Sequence, residues 1–286
     1  MGQRRGSVGA TAGMPQLNSA RAPLPTRSYL RAATRCARVL LHVLVGLLLA
    51  LLVTLPGGRR LPRERLTGWW NAQLLAILHV RVRRRGRPAA EARMLVANHV
   101  SWLDISVIVA DVETRFVSKA EVRDWPLAGQ LATAAGTFYL RRGAGGTRHL
   151  IHALTEHLQR GRVTVFPEGT TTDGHTVLRF QPRLFAAAIA AGCAVQPVAL
   201  RYGRAAGGED IAPFVGEQTL TDHLWRLLQE RELEVELIYC PPIQPRPGQD
   251  RASLAAAAQA AVSAALAPQN ETPAATQRER HAALAA

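Results

Sequence analysis

The chain has 286 residues, of which 48% are hydrophobic and 5% aromatic, and its formal net charge is +14. This length is enough for one large domain with additions at its ends, and the positive charge favours an anionic partner. The few aromatic residues and the lack of basic-aromatic interleaving argue against a nucleic-acid-binding protein, and three scattered cysteines indicate neither a metal site nor a disulfide framework.

The N-terminal quarter of the chain predicts a disordered lead followed by a membrane element. Residues 1–27 are rich in Gly, Ala, Arg and Pro without periodicity, which is typical of disorder. The apolar run 39–55 then reaches only the lower length limit of a membrane span, and arginines lie on both sides of it.

A turn at Pro56-Gly57-Gly58 leads from that run into a second apolar segment, which carries Trp69 and Trp70. Paired tryptophans suit the headgroup region of a bilayer. We therefore predict that residues 28–78 form a helical hairpin that enters one leaflet. A single spanning anchor is the alternative, and a cleaved signal sequence is disfavoured because no small-residue cleavage site follows the run.

Strand and helix patterns alternate from residue 79 to residue 267. The predicted strands lie around residues 80–82, 94–97, 114–118, 137–140, 162–166, 194–201 and 233–239. The predicted helices lie at residues 101–110, 125–135, 147–159, 183–191, 220–230 and 252–266. This alternation predicts an α/β domain with a largely parallel central sheet of about seven strands flanked by helices. Residues 268–286 are expected to form a disordered tail.

Polar residues follow four of these strands at the point where each strand ends. His99, with Asp104 five positions on, follows the second strand; Lys119, the chain's only lysine, Arg142 and Glu168 follow three others. Each has an ordinary alternative: a buried histidine, a solvated helix-start aspartate, surface charge or a simple turn. The carboxyl ends of parallel strands meet at one edge of a sheet, however, so the joint placement favours a site.

Four short blocks carry a resemblance to a known family. They are Asn98-His99 with Asp104, the segment Gly136 to Arg142, the run Phe166-Pro167-Glu168-Gly169-Thr170, and Pro197 within an apolar strand. Over about residues 75–240 the chain resembles the glycerolipid acyltransferases with a His-x-x-x-x-Asp motif, especially 1-acylglycerol-3-phosphate acyltransferases. Lys119, with Pro126 and Gly129 downstream, also fits this family.

One departure bears on the acceptor of the acyl group. Thr171-Thr172-Asp173-Gly174 stands where many members of the family have Arg-Ser. This continuation resembles a branch that includes acyltransferases acting on other lysolipids, such as lyso-ornithine lipid.

The resemblance implies a role for each matched residue. His99 is the expected general base and Asp104 the residue that fixes its tautomer. Lys119, Arg142, Glu168, Gly169 and Thr170 are expected to bind substrate, the two cations taking a phosphate and Glu168 binding a hydroxyl or orienting an arginine. Structural support is expected from Asn98, Pro167 and Pro197. Ser101 is expected to cap the following helix rather than act as a nucleophile.

The implied reaction moves a fatty acyl group from a thioester donor to the free hydroxyl of a lysophospholipid. The favoured acceptor is 1-acylglycerol-3-phosphate, giving phosphatidic acid, and lyso-ornithine lipid is the alternative. We expect acyl-CoA or acyl-carrier protein as donor, membrane lipids as partners, no metal, no cofactor and no nucleic acid. The expected location is the cytoplasmic face of a membrane, the inner membrane if the chain is bacterial. A non-catalytic lipid-binding protein is disfavoured because His99, Asp104 and Glu168 are all present.

Overall fold

The structure is a computed structural model that describes residues 26–141, 144–205 and 208–267. The strands are β1 (Val80–Arg85), β2 (Ala92–Ala97), β3 (Arg115–Lys119), β4 (Phe138–Leu140), β5 (Val163–Val165), β6 (Ala194–Tyr202) and β7 (Leu233–Tyr239). The α-helices are α1 (Thr26–Thr54), α2 (Arg63–Leu78), α3 (Leu103–Asp111), α4 (Ala128–Ala134), α5 (Ala144–Leu158), α6 (Phe185–Ala191), α7 (Leu220–Gln229) and α8 (Arg251–Leu266). Short 3-10 turns join some of them.

The seven strands form one sheet in the order β1-β7-β6-β2-β5-β3-β4. Strands β2 to β6 all run parallel, whereas β7 is antiparallel to β6 and β1 is parallel to β7. The predicted α/β fold with a largely parallel sheet is therefore confirmed. Five strands end at a common edge of the sheet, which we call the carboxyl edge, and β2 lies at the centre of the sheet.

Each face of the sheet has its own hydrophobic core. In β2, Leu95 packs with α2, α3 and α7 on one face, whereas Met94 and Val96 pack with α5, α6 and α8 on the other. All three side chains are 0% exposed. A parallel strand covered by helices on both faces is expected to be apolar throughout, which is why this run was recognisable in the sequence.

The predicted helical hairpin forms, but its two helices are used differently. The apolar side of α2, including Leu74 and Leu78, belongs to the core of the domain. Trp70 stacks on His42 of α1 at 4.5 Å and its Nε1–H donates to the His42 carbonyl at 3.1 Å. Trp69, its neighbour, is 51% exposed. Trp70 therefore packs within the protein, whereas Trp69 faces outward. Of the two helices of the hairpin, α1 alone presents a long exposed apolar surface.

Helix α1 has one side against the domain and one side bare. Ala32, Arg35 and Val39 are buried, and the Arg35 guanidinium donates to the carbonyls of Leu228 and Arg231 at the end of α7. The opposite side carries exposed leucines at positions 30, 40, 41, 44, 48 and 51. In the described part of the chain one helix, Tyr29–Thr54, is long and apolar enough to cross a membrane. These features point to membrane association, while entry into one leaflet rather than two stays a prediction.

Candidate active site

His99 lies two residues beyond the end of β2, and neighbouring groups contact its backbone, its Nδ1 atom and the face of its ring. Its N–H donates to Glu168 Oε1 at 2.8 Å, and its carbonyl accepts from the Thr172 N–H at 2.8 Å. Nδ1 of the ring is 2.8 Å from Asp104 Oδ2, and the ring stacks on Phe166 with centroids 4.0 Å apart. With Nδ1–H donated to a carboxylate, neutral His99 carries its lone pair on Nε2, and the side chain is 18% exposed.

Asp104 lies in the first turn of α3 and is 0% exposed, so it is not a solvated helix-start residue. Its Oδ2 accepts from His99 Nδ1 at 2.8 Å, from the Val100 N–H at 2.7 Å and from the Ser101 N–H at 2.9 Å. Its Oδ1 accepts from Tyr202 Oη at 2.6 Å. A side chain surrounded by donors functions as an acceptor, and here it fixes the orientation of the His99 ring.

Tyr202 is a site residue that the sequence analysis missed. It ends β6, and burial together with the Asp104 charge raises the pKa of its phenol well above the ordinary value. The hydroxyl therefore keeps its proton and stays a donor to Asp104. The available signal was its position, because β6 is another parallel strand that ends at the carboxyl edge.

Glu168 lies three residues past β5 and is 7% exposed. Its Oε1 accepts from the His99 N–H at 2.8 Å and its Oε2 from the Leu178 N–H at 2.9 Å. Burial raises the pKa of this carboxyl, and the two amide hydrogen bonds oppose that rise. The geometry thus gives Glu168 a positioning role, joining the loop after β5 to the end of β2, while the expected contact with a substrate hydroxyl or an arginine stays a prediction.

The residues on either side of Glu168 differ in exposure. Pro167 is buried, and its carbonyl accepts from the Gln181 N–H at 2.9 Å. Gly169 and Thr170 are exposed. Gly169 has φ +74°, a conformation that favours glycine, and its N–H closes a turn to the Phe166 carbonyl at 3.1 Å. The surface beside the His99 ring is therefore open at Gly169 and Thr170, where an acceptor can approach the backbone closely.

Asn98 and Pro197 support the end of β2. The Asn98 side chain donates Nδ2–H to the Leu200 carbonyl at 3.0 Å and accepts the Leu200 N–H on Oδ1 at 2.8 Å. It extends the ladder with β6 after the backbone of β2 has left the sheet. Pro197 is the β6 partner of Val96 within that ladder. Both residues therefore fix the level at which His99 leaves the sheet.

One of the two predicted phosphate-binding cations, Lys119, lies at the carboxyl edge. Lys119 ends β3 opposite Leu140 of β4 and is exposed. Since β5 separates β2 from β3, two strand spacings of about 4.8 Å place the end of β3 about 10 Å from the end of β2. Arg142 lies outside the described residues, so its role stays a prediction. Its neighbour Arg141 is exposed.

Ser101 does not cap α3, and that expectation was wrong. Its Oγ is buried without a hydrogen-bond partner, and the side chain that accepts the free amides before α3 is Asp104. A serine that is 0% exposed and has no base beside it is not placed to act as a nucleophile. Within residues 26–141, 144–205 and 208–267, no group of three or more His, Cys, Asp or Glu side chains is arranged to hold a metal ion.

Comparisons with known proteins found a family model and several relatives. The family model described as Acyltransferase matches residues 79–201, from the start of β1 into the end of β6. A lyso-ornithine lipid O-acyltransferase of Pseudomonas aeruginosa is 48% identical over 243 residues, which cover 83% of this chain and 94% of that protein. A 1-acyl-sn-glycerol-3-phosphate acyltransferase of Neisseria gonorrhoeae is 36% identical over 59% of this chain and 68% of that protein.

One solved structure has the same fold. The crystal structure of PlsC, the 1-acyl-sn-glycerophosphate acyltransferase of Thermotoga maritima, matches with a TM-score of 0.63. The match covers 84% of this chain and 95% of that chain at 20% sequence identity. At this identity the likeness establishes the fold alone.

Proposed function

The chain belongs to the acyltransferase family, and on that premise we propose that it transfers a fatty acyl group from a thioester donor to the hydroxyl of lyso-ornithine lipid. Transfer of acyl groups to lysolipids follows from the family and from relatives named for that activity. The acceptor, the donor carrier and the side of the membrane are the proposed parts. The observation that carries the chemistry is the His99 ring, fixed by Asp104 and Phe166 with Nε2 left free.

The proposed reaction needs a base for the acceptor hydroxyl. His99 Nε2 takes the proton as the hydroxyl oxygen attacks the thioester carbonyl, and the thiolate of the carrier leaves when the tetrahedral intermediate collapses. The imidazolium that forms on His99 donates from Nδ1 to Asp104, whose charge stabilises it. The proton then goes to the departing sulfur, which restores neutral His99.

The acceptor assignment rests on the segment after Thr170. Many members of the resembled family have Arg-Ser there, whereas Thr171 Oγ1 of this chain donates to the Phe214 carbonyl and Asp173 is an exposed acid. An ornithine headgroup carries an ammonium and a carboxylate instead of a phosphate. A carboxylate suits the ammonium, and we propose that Asp173 contacts it. The identity to the Pseudomonas aeruginosa relative supports the same acceptor.

The donor is proposed to be acyl-CoA or acyl-carrier protein, with no metal or cofactor of the enzyme's own. Both carriers are acidic, and the chain's charge of +14 favours association with them. Both carriers are soluble in the cytosol, so we propose that the domain works on the cytoplasmic face of its membrane. The acceptor reaches it from the adjoining leaflet.

An acceptor panel tests the proposal. Purified protein is given labelled acyl-CoA or acyl-carrier protein with lyso-ornithine lipid, 1-acylglycerol-3-phosphate or lysophosphatidylcholine. We expect the highest kcat/KM with lyso-ornithine lipid, and Asp173→Asn should raise KM for that acceptor alone. A preference for 1-acylglycerol-3-phosphate, with Asp173→Asn silent, would contradict the acceptor assignment while leaving acyl transfer intact.

A further inference from the structure

A strained, exposed turn stands between the chain's only lysine and α4. Trp125, Pro126 and Leu127 form it, and we call it the Trp125–Leu127 turn. Leu127 has φ +60° and ψ −55°, and the Ala128 N–H bonds the Pro126 carbonyl at 2.6 Å. These values describe a γ-turn of the rare strained form. In the described residues only His79 is another non-glycine with positive φ, and it ends α2 in the ordinary left-handed way.

The turn is braced, so its conformation is built into the fold. The Gly129 N–H donates to the Trp125 carbonyl at 2.9 Å, and the Leu131 N–H to the Leu127 carbonyl at 3.0 Å. A Cβ on Gly129 would lie 2.1 Å from the Arg123 carbonyl oxygen, so this close approach needs glycine. Backbone strain of this kind persists where the surroundings impose it, and its usual place is a functional contact.

The strained backbone holds large apolar side chains in the open. Trp125 is 43% exposed and Leu127 is 48% exposed. Neither side chain shields the core, and the charged neighbours Arg123 and Asp124 are exposed as well. A tryptophan and a leucine between charged residues are the composition of a segment that enters the boundary between headgroups and acyl chains.

The turn belongs to the part of the domain on which the membrane-type helix α1 packs. Helix α4, which begins immediately after the turn, packs against α1, and a Cβ on Gly46 of α1 would lie 3.1 Å from Leu131 Cδ2. The bare side of α1 carries the exposed leucines described above. Gly46 is on the buried side of α1, so the turn stands at the carboxyl edge as a part of the domain separate from the exposed leucines.

We propose that the Trp125–Leu127 turn is a second lipid contact, separate from α1, that inserts into the leaflet and brings the carboxyl edge to the acceptor. Lys119, the residue before the 3-10 turn Ala120–Asp124, then lies at headgroup level. Helix α1 holds the protein on the membrane, and the turn sets the distance of the active site from it. The inference rests on the proposed acyl transfer at His99.

A glycine substitution separates the side chain from the backbone conformation. Leu127→Gly removes the apolar side chain but adopts φ +60° freely, so the fold loses strain rather than gaining it. Leu127→Met is the matched control, because it keeps both an apolar side chain and the strain. Each full-length protein is assayed with a long-chain acceptor in vesicles of phosphatidylglycerol and phosphatidylcholine, and with a short-chain acceptor of the same headgroup in monomeric solution.

We expect Leu127→Gly to lower kcat/KM about tenfold on vesicles. Its activity on the monomeric acceptor and its thermal midpoint should not fall, and Leu127→Met should match the parent throughout. Equal activity of Leu127→Gly and the parent on vesicles would overturn the inference. So would an equal loss with both forms of the acceptor, since that would show a structural role in the domain.

A measurement without turnover keeps this inference separate from the proposed function. Vesicles containing lipids brominated on their acyl chains quench tryptophans that enter the leaflet. We expect Trp125→Phe to reduce the quenching because it removes the inserted tryptophan. Leu127→Gly keeps Trp125 and should reduce the quenching of that residue. Quenching that is unchanged in both variants would overturn the lipid contact even in an active enzyme. A protein inactive on both acceptor forms but normally quenched would instead contradict the proposed function.

Discussion

The carboxyl edge of the sheet has two halves with opposite properties. The half formed by β2, β5 and β6, which we call the anchored half, carries His99, Asp104, Glu168 and Tyr202. The last three have their side-chain oxygens in hydrogen bonds within the protein. The half formed by β3 and β4, which we call the open half, carries exposed groups: Lys119, Arg141 and the Trp125–Leu127 turn.

The difference follows from what each half has to do. A base must meet its proton in one geometry, so its partners are fixed before substrate arrives. A surface that receives a lipid headgroup and a leaflet must leave its charged and apolar groups available. If this division is right, substitutions in the anchored half lower kcat, and substitutions in the open half act on KM or on membrane presentation.

The largest effect is expected from His99→Ala, because the variant removes the base. We expect kcat to fall by about 10²–10⁴ with membrane binding unchanged. His152→Ala is the matched control, since His152 lies exposed on α5, away from the carboxyl edge. Full activity of His99→Ala in an acyl-transfer assay would contradict its assignment as the base.

The second-largest effect is expected from Glu168→Gln. This variant keeps the size of the side chain but leaves one of the two backbone amides, those of His99 and Leu178, without an acceptor. We expect kcat to fall about ten- to a hundredfold, with a loss of about 1–3 kcal/mol in the free energy of unfolding. Steady-state kinetics and denaturant unfolding measure both. A rise in acceptor KM at constant kcat would instead favour a direct contact between Glu168 and the acceptor, as expected from the sequence.

Tyr202→Phe removes one donor from Asp104 without opening the core. We expect kcat to fall about tenfold, as for the loss of one hydrogen bond to a charged group. Asp104 keeps its bonds from the Val100 and Ser101 amides, so KM for both substrates should stay unchanged. The control is Tyr239→Phe, which removes a hydrogen bond to Asp111 elsewhere. A fall in kcat in both variants, or in neither, would argue against a positioning role for Tyr202.

A smaller effect is expected from His223, which supports Trp102 behind the site. Its Nδ1 accepts from Trp102 Nε1 at 2.9 Å, its other nitrogen bonds the Ile211 carbonyl, and burial lowers its pKa. The unfolded chain therefore takes up the proton first, so this stability is complete above about pH 6.5 and declines as pH falls. The slope from this one group is at most about 1.4 kcal/mol per pH unit, and the stability of His223→Gln should fall less steeply by up to that amount. An identical slope in that variant would show that other groups cause the decline.

The smallest effect is expected from Lys119→Ala in the open half. An exposed cation contributes less than about 1 kcal/mol, so we expect a few-fold rise in acceptor KM at unchanged kcat, weakened by salt. Lys119→Arg keeps the charge and should match the parent. A fall in kcat instead of a rise in KM would place Lys119 with the anchored half.

The sequence was most informative about placement. Residues 94–97 predicted a buried strand covered by helices on both faces. The polar residues that follow parallel strands of this kind were expected to meet at one edge of the sheet. That argument placed His99, Lys119 and Glu168 correctly on the edge without any coordinates. The apolar run of α1 was also recognisable in the sequence. Composition reveals an apolar stripe equally well whether the folded protein exposes it or buries it.

The sequence was least informative about which way side chains turn. It could not show that both oxygens of Glu168 face backbone amides, or that Tyr202 at the end of β6 reaches Asp104 at the start of α3. It also placed Trp69 and Trp70 together, whereas neighbours on a helix point about 100° apart and only Trp69 is exposed. These features depend on tertiary packing between elements distant in the chain, which no local pattern records.

The central claim is that His99 acts directly on the acceptor hydroxyl, without an acylated protein intermediate. Labelled acyl thioester is mixed in equal amount with the enzyme, with and without lysolipid, and the label is followed on protein and lipid. We expect label in the diacyl lipid only when acceptor is present, and none on the protein. Acyl-labelled protein that transfers its label to lysolipid added later would contradict the account.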